Sequence, residues 1–237
     1  MEQRFSVIIA ALNEEATIGS VVRELRHALG ERMRECIVVN NGSTDATASI
    51  AASAGARVVN EPRRGYGRAC ATGAEQADPQ SDVLVFLDGD GSDVPAEIPR
   101  LAAHVTRGRY DFAIGSRIRG QREHGSMLAS QLFAGRLFAA LIRLRYGVSY
   151  TDMGPMRVIS REALARMQMT EMTYGWNLEM QIKAAAMKLR TVELPVAYRC
   201  RQGGESKVAG SFEGSVRAAS RLMQVMFRMA LASHHSS

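Results

Sequence analysis

Two aspartates separated by one glycine, Asp88 and Asp90, close the most apolar run in the chain, VLVFLDGDGSD at 83–93. Carboxylates at that spacing, just past a buried strand, can turn oxygens toward one hard divalent cation, which keeps some waters and takes further oxygens from substrate phosphates. A solvated acidic turn is the plain alternative; the apolar strand before the pair argues for a cleft. VVNNGSTDAT at 38–47 puts Asn40 and Asn41 at a strand end and Ser43, Thr44 and Asp45 where a helix N-cap falls. It reads either as a capped turn or as amides facing a nucleobase and ribose. RRGYGRACATG at 63–73 is glycine-rich, basic and opens a helix, so its backbone could approach a nucleotide closely. Its spacing is neither that of a P-loop nor GxGxxG.

These residues need elements to carry them. FSVIIAA at 5–11 is a short apolar run, followed by Ile18, Val21, Val22, Leu25 and Leu29 at helical spacing. The alternation recurs at ECIVVN with a helix after Asp45, RVVN with a helix from Gly67, DVLVFLD with a helix after Pro95, and DFAIGS. Strands alternating with helices predict an α/β fold with a mainly parallel sheet, whose ligands bind at the carboxyl ends of the strands. Asn13-Glu14, Asn40-Asn41 and Asp88-Gly89-Asp90 stand at three such ends. Beyond Arg119 the pattern changes to helices over 127–146, 160–167, 175–188 and 212–232, with one clear strand in TVELPVAY. GQREHGS and RCRQGGESKVAGS read as loops, the second as a flexible lid.

Composition narrows the class. The 237 residues are 46% hydrophobic and 23% charged, as in a folded globular protein. Three cysteines, Cys36, Cys70 and Cys200, show no CxxC spacing, which predicts a reducing compartment and no zinc. The longest stretch free of charge, 124–135, is well short of the ~18 apolar residues that a span requires. MEQRFSVIIA lacks the form of a signal peptide, so the expected location is cytoplasmic, or peripheral at the inner face of the membrane. Net charge is +6, but residues 1–120 carry 14 Lys/Arg against 16 Asp/Glu and residues 121–237 carry 16 against 8. A basic second half suits phosphate-bearing partners; no nucleic-acid-binding module or aromatic stacking platform is visible, so no nucleic-acid partner is expected.

AALNEEATI, VVNNGSTDAT, RRGYGRACATG, FLDGDGSD, IGSR, DMGPMRVISREAL, GWNLEMQIKAA and GGESKVAG closely resemble, in this order, the successive motifs of glycosyltransferase family 2. The likeness is greatest to the branch of dolichyl- and polyprenyl-phosphate mannosyl- and glucosyltransferases. The resemblance implies a GT-A fold, a Rossmann-like mainly parallel sheet flanked by helices with further helices on the acceptor side. One domain over 1–232 is expected, nucleotide-sugar-binding over 1–119 and acceptor-side over 120–232, with a disordered tail at 233–237.

Carried over by residue, it implies a UDP- or GDP-linked sugar held by Ala11, Leu12, Asn13, Glu14, Asn40, Gly65, Gly67, Asp88, Gly89, Asp90, Arg201 and Lys207. Asp88 and Asp90 would hold Mg2+ or Mn2+ on the donor diphosphate, with Ser92 able to face it. Arg117, Arg157, Arg201 and Lys207 would meet donor or acceptor phosphates, and Asp152 and Trp176 would contact sugar or acceptor. The chain departs from the pattern at Ala10, where proline is usual, and at Asn40, where an acid is common. It departs again at Trp176-Asn177, where many members carry a Glu-Asp pair whose aspartate deprotonates the acceptor.

The missing acid leaves two readings. Either Glu179 is the base for a hydroxyl acceptor, or the acceptor is a lipid phosphate, already ionised and in need of no base. Glu179 also reads as a helix-face partner of Lys183 at i+4. Both acceptor types share the chemistry the family implies: in-line attack at the anomeric carbon, inversion and loss of UDP or GDP. A non-catalytic nucleotide- or membrane-binding protein is the alternative from another class. The helices 127–146 and 212–232 mix apolar bulk with arginine, as an interfacial helix does, or as one packed on the domain or on a second copy in a homodimer.

Overall fold

The computed structural model describes residues 4–203 and Gln224. Lys207, the helix expected over 212–232, most of the RCRQGGESKVAGS loop and the tail 233–237 lie outside the described residues.

Chain order alternates strands and helices through the first half: β1 (Phe5–Ala11), α1 (Ile18–Leu29), β2 (Met33–Asn40), α2 (Thr47–Ser53), β3 (Arg57–Asn60), α3 (Tyr66–Gln76), β4 (Val83–Asp88), α4 (Ile98–Thr106) and β5 (Phe112–Ser116). The long α5 (Ala129–Tyr146) follows, then β6 (Arg157–Ser160), α6 (Arg161–Met167), α7 (Trp176–Ala186) and β7 (Thr191–Pro195). Among the described residues these strands form one seven-stranded sheet in the order β3-β2-β1-β4-β6-β5-β7. All neighbours run parallel except β6, which lies antiparallel between β4 and β5.

Strand alternation splits the core into two layers. Val7, Ile9, Val38, Val85 and Leu87 face Val21, Leu25, Leu101 and Val105 of α1 and α4. Ile8, Ile37, Val39, Leu84 and Phe86 face the other way, onto α3, α5, α6 and α7. Period-2 burial on both faces is what a central parallel strand requires, and explains why these runs read as continuously apolar.

Two features depart from the sequence reading. RVIS, taken there as part of a motif leading into a helix, is the strand β6. It fills the gap that β4 and β5 would leave, and it is short because Ser160 immediately caps α6, its side chain accepting from the Ala163 N–H. TVELPVAY is a strand only as far as Pro195; Tyr198 then leaves the sheet and makes single bridges to Asp93 and Arg122.

The glycines of RRGYGR are explained by a backbone seam. Gly67 and Arg68 donate to the carbonyls of Thr173 and Met172 at 3.1 and 3.0 Å. A Cβ on Gly65, whose φ is +146°, would run into the Met172 carbonyl, and one on Gly67 into that of Glu171. These glycines are required by the 171–173 loop, although Gly65 also borders the cleft described next.

Candidate active site

Sheet register assembles the site. Ala10 lies opposite Asp88, and Ala11 opposite Asn40, so the carboxyl ends of β1, β2 and β4 stop in one row. Above that row opens a cleft of about 600 Å3. Its lining contains Ala11, Leu12, Glu14, Gly65, Asp88, Gly89 and Asp90, together with Arg117 and Arg201. All of these stand among the site residues read from the sequence.

The acidic floor is closely built. Ser92 gives both its N–H and its hydroxyl to Asp90 Oδ1, and so fixes that carboxylate from beneath; it is itself buried. Thr17 Oγ1 donates to the Gly89 carbonyl at 2.8 Å, pinning the turn between the two aspartates. Asp93, 3% exposed, accepts from the Asp88 N–H at 3.2 Å. Burial pushes Asp88 up to about 7, the charge of Asp90 pushes the same way, and Arg117, Tyr66 and Arg201 oppose both. Asp93 is raised as well, again mainly by burial.

Asp88 Oδ1 and Asp93 Oδ1 are buried and have no hydrogen-bond partner. A buried carboxylate oxygen without a donor is costly unless a cation or water satisfies it, so Asp88, which lines the cleft beside Asp90, fits a hard divalent ion. No group of three or more His, Cys, Asp or Glu side chains among the described residues is arranged to hold a metal. The pair therefore suits an ion completed by phosphate oxygens and water, as an all-oxygen site for Mg2+ or Mn2+ commonly is.

Arg117 projects from the end of β5. Asp152 holds it threefold, accepting from its backbone N–H, Nε and Nη2 at 2.9, 2.7 and 2.7 Å, and its guanidinium lies 4.9 Å from the Tyr198 ring centroid. Burial alone would raise the Asp152 carboxyl, but Arg117 draws it below the usual carboxylate range. Asp152 thus sits behind Arg117 rather than against a ligand.

Six further expectations are corrected. Glu179 is fully buried and outside the cleft lining. Its carboxylate takes hydrogen bonds from Thr170 N–H, Thr170 Oγ1 at 2.6 Å and Glu171 N–H at 2.7 Å, and pairs with Lys183 at 3.0 Å. With its lone pairs so engaged it staples the 170–171 loop and is no general base. Arg157, fully buried on β6, donates to the carbonyls of Gly154 and Asn177 and cannot reach a phosphate in the cleft. Trp176 is a core residue tilted against Phe86, with ring centroids 6.4 Å apart. Asn40 is turned to Asn60 and to the Ser43 N–H, and its neighbour Asn41 lines the cleft. Asn13 and Gly67, outside the lining as well, serve the scaffold: the Asn13 side chain accepts from the Thr44 N–H.

Other lining residues were less legible in the sequence. Asn41 reaches three backbone groups, the Glu61 and Arg63 carbonyls and the Gly65 N–H, and so ties the 61–65 loop to the end of β2. Tyr66, Ser126, Gln131, Tyr174 and Tyr198 come from four separate segments; only Tyr66 lies inside a stretch whose composition stood out.

The comparisons agree with this architecture. Residues 6–167 match the glycosyl transferase family 2 profile. An uncharacterized glycosyltransferase of Mycobacterium tuberculosis is 37% identical over 213 residues, covering 90% of this chain and 93% of its own. A dolichyl-phosphate hexose transferase of Haloferax volcanii is 32% identical over 205 residues, covering 86% of both. Glucosyl-3-phosphoglycerate synthase of M. tuberculosis, solved with Mn2+, uridine diphosphate and glucosyl-3-phosphoglycerate, superposes with a TM-score of 0.78 at 22% identity. The match covers 96% of this chain and 80% of that one, and it is a likeness of fold. The chain belongs to glycosyltransferase family 2 and has the GT-A fold.

Two outcomes are expected. Glu179→Gln loses charge-assisted bonds in a dry site, costing about 2–3 kcal/mol in denaturant unfolding, while the pH dependence of turnover keeps its shape; disappearance of the acidic limb would restore Glu179 as a base. Because the folded value of Asp88 exceeds its ordinary 3.8, the folded state holds more protons than the unfolded chain between 3.8 and about 7. Stability without added cation therefore falls as pH rises through that interval. Melting temperatures at pH 5 and 7.5 should show this fall, and Mn2+ should raise the value at pH 7.5 more than at pH 5; a cation effect independent of pH would contradict it.

Proposed function

We propose that this family 2 glycosyltransferase moves a hexose, with inversion, from a UDP- or GDP-linked donor to a polyprenyl- or dolichyl-phosphate type of lipid, using a divalent cation. The observation that carries the acceptor assignment is the outer face of α5 where it meets the cleft. Leu128, just before the helix, and Gln131 line the mouth, as does Tyr174. Along the helix, Phe133 is 71% and Leu144 86% exposed, with Leu137 also exposed. Arg136, Arg143 and Arg145 lie exposed among them, and no acidic residue occurs in the helix. Apolar side chains interleaved with arginine and free of carboxylates suit the anionic surface of a bilayer. No helix among the described residues is long and apolar enough to cross one.

The carboxylates of the cleft support the same acceptor. Among the described residues they are Glu14, Asp88 and Asp90, all at the donor end, so none is left at the mouth to deprotonate a hydroxyl. A phosphate monoester arrives ionised. Its oxygen attacks the anomeric carbon, the bond from that carbon to the diphosphate breaks, and the nucleoside diphosphate leaves with the electron pair; no proton has to move. The cation, when bound, supplies Lewis-acid stabilisation of the leaving diphosphate. Asp88 and Asp90 would hold it, Ser92 and Thr17 keep the turn in place, and Arg117, fixed by Asp152, directs a permanent charge into the space between donor and acceptor.

The donor and acceptor named for the relatives give independent support, since the Haloferax enzyme is a dolichyl-phosphate hexose transferase and the M. tuberculosis synthase was solved with Mn2+ and uridine diphosphate. We propose a single domain over 1–232, and a cytoplasmic enzyme acting at the membrane face.

Turnover should be seen with polyprenyl phosphate in vesicles and should be absent with the corresponding polyprenol, assayed by release of nucleoside diphosphate; equal use of the alcohol would overturn the phosphate-acceptor reading. Replacing Arg136, Arg143 and Arg145 together by Gln should weaken partitioning onto anionic vesicles by about a hundredfold, at about 1 kcal/mol for each charge. Co-sedimentation that is unchanged would remove α5 from the membrane surface.

A further inference from the structure

Arg201 stands where the acidic floor needs a positive charge. Its Nη1 lies 3.0 Å from Asp90 Oδ2, its Nη2 contacts Glu14, and its Nε donates to the Gly203 carbonyl at 2.6 Å. The backbone around it is tied to the same turn: Gln202 N–H donates to the Asp90 carbonyl at 3.1 Å and Arg199 N–H to that of Ser92 at 2.9 Å. Arg199 is in turn paired with Glu24 of α1. The segment that carries Arg201 is therefore clamped onto the DGDGS turn, and its guanidinium bridges two carboxylates from β-strand ends 76 positions apart in sequence, Glu14 and Asp90.

Asp90 is also one of the two carboxylates that suit the divalent cation. A guanidinium and a divalent ion on one carboxylate repel each other at short range, where the surroundings are poor in water. Arg201 offers a planar fork that fits a diphosphate at least as well as a carboxylate. We infer that Arg201 is an internal counter-ion that competes with the divalent cation for Asp90 and passes to the donor diphosphate when both ligands arrive. Cation and nucleotide then bind cooperatively, with Arg201 as the coupling element, and by linkage each tightens the other by one factor. The inference rests on the proposed roles of Asp88 and Asp90 as cation holders.

The test measures Mn2+ binding from the loss of the free-ion electron paramagnetic resonance signal, with and without UDP or GDP, for the wild type, Arg201→Gln and Arg201→Lys. The wild type should bind Mn2+ weakly alone and about tenfold or more tightly with the matching nucleotide, within the usual range of coupling. Arg201→Gln should bind Mn2+ alone about tenfold more tightly than the wild type and lose most of the nucleotide effect. Arg201→Lys, which keeps one charge but cannot bridge both carboxylates, should fall between. If Arg201→Gln takes up Mn2+ alone no better than the wild type, while the wild type binds it with nucleotide, Arg201 is not a competitor and the cation reading stands. If the wild type binds no Mn2+ with either nucleotide, the cation reading fails and the inference with it.

Discussion

Glu14, Asp88, Asp90 and Asp93 are gathered at the ends of β1 and β4 with little water to screen them. Burial first and the neighbouring carboxylates second push Asp88 and Asp93 above the usual carboxylate range. Much of the surrounding structure makes this cluster tolerable. Ser92 and Thr17 supply hydrogen bonds, and Arg201 supplies charge from far along the chain. What these leave unsatisfied includes Asp88 Oδ1, which a divalent cation shared with Asp90 would complete. On the proposed reading, a cation and a diphosphate arriving together would relieve this crowding of acids.

A second ionic group works differently. Arg117 and Asp152 neutralise each other, and Glu193 of β7 accepts from the Thr151 and Asp152 N–H groups, each at 3.0 Å, to hold that loop. The result is one guanidinium with fixed orientation at the wall of the cleft. Here the structure uses a buried pair for placement, where the floor has one guanidinium, Arg201, shared between Glu14 and Asp90. The loop stapled by Glu179 has a comparable purpose, since its carbonyls receive the N–H groups that open α3. Tyr174, at the far end of the same loop, reaches the mouth of the cleft.

Apolar period and strand-end chemistry made the first half of the fold legible: β1 to β5 and the position of the cleft follow from runs such as FSVIIAA and VLVFLD. What could not be read were charges that fold inward. Arg157 in RVIS reads as a phosphate partner; in the structure it is buried on β6, its Nε and Nη1 donating to two backbone carbonyls. Glu179 and Lys183 have the spacing of an exposed helix pair and are instead largely buried. Adjacent asparagines are equivalent in sequence, yet β2 turns Asn40 toward β3 and leaves Asn41 to the cleft. Residues such as Tyr198 and Gln131 reach the site only because tertiary packing brings their segments there, and no local pattern records that.

The central claim is that the Asp88–Asp90 turn holds a divalent cation together with a nucleoside diphosphate. Anomalous diffraction at the manganese edge from crystals grown with Mn2+ and UDP, and separately with GDP, tests it directly. The account predicts one manganese peak touching Asp88 and Asp90 and the diphosphate of the matching nucleotide, with Arg201 turned from Asp90 to phosphate oxygens. Nucleotide bound in the cleft with no manganese on these aspartates would contradict it.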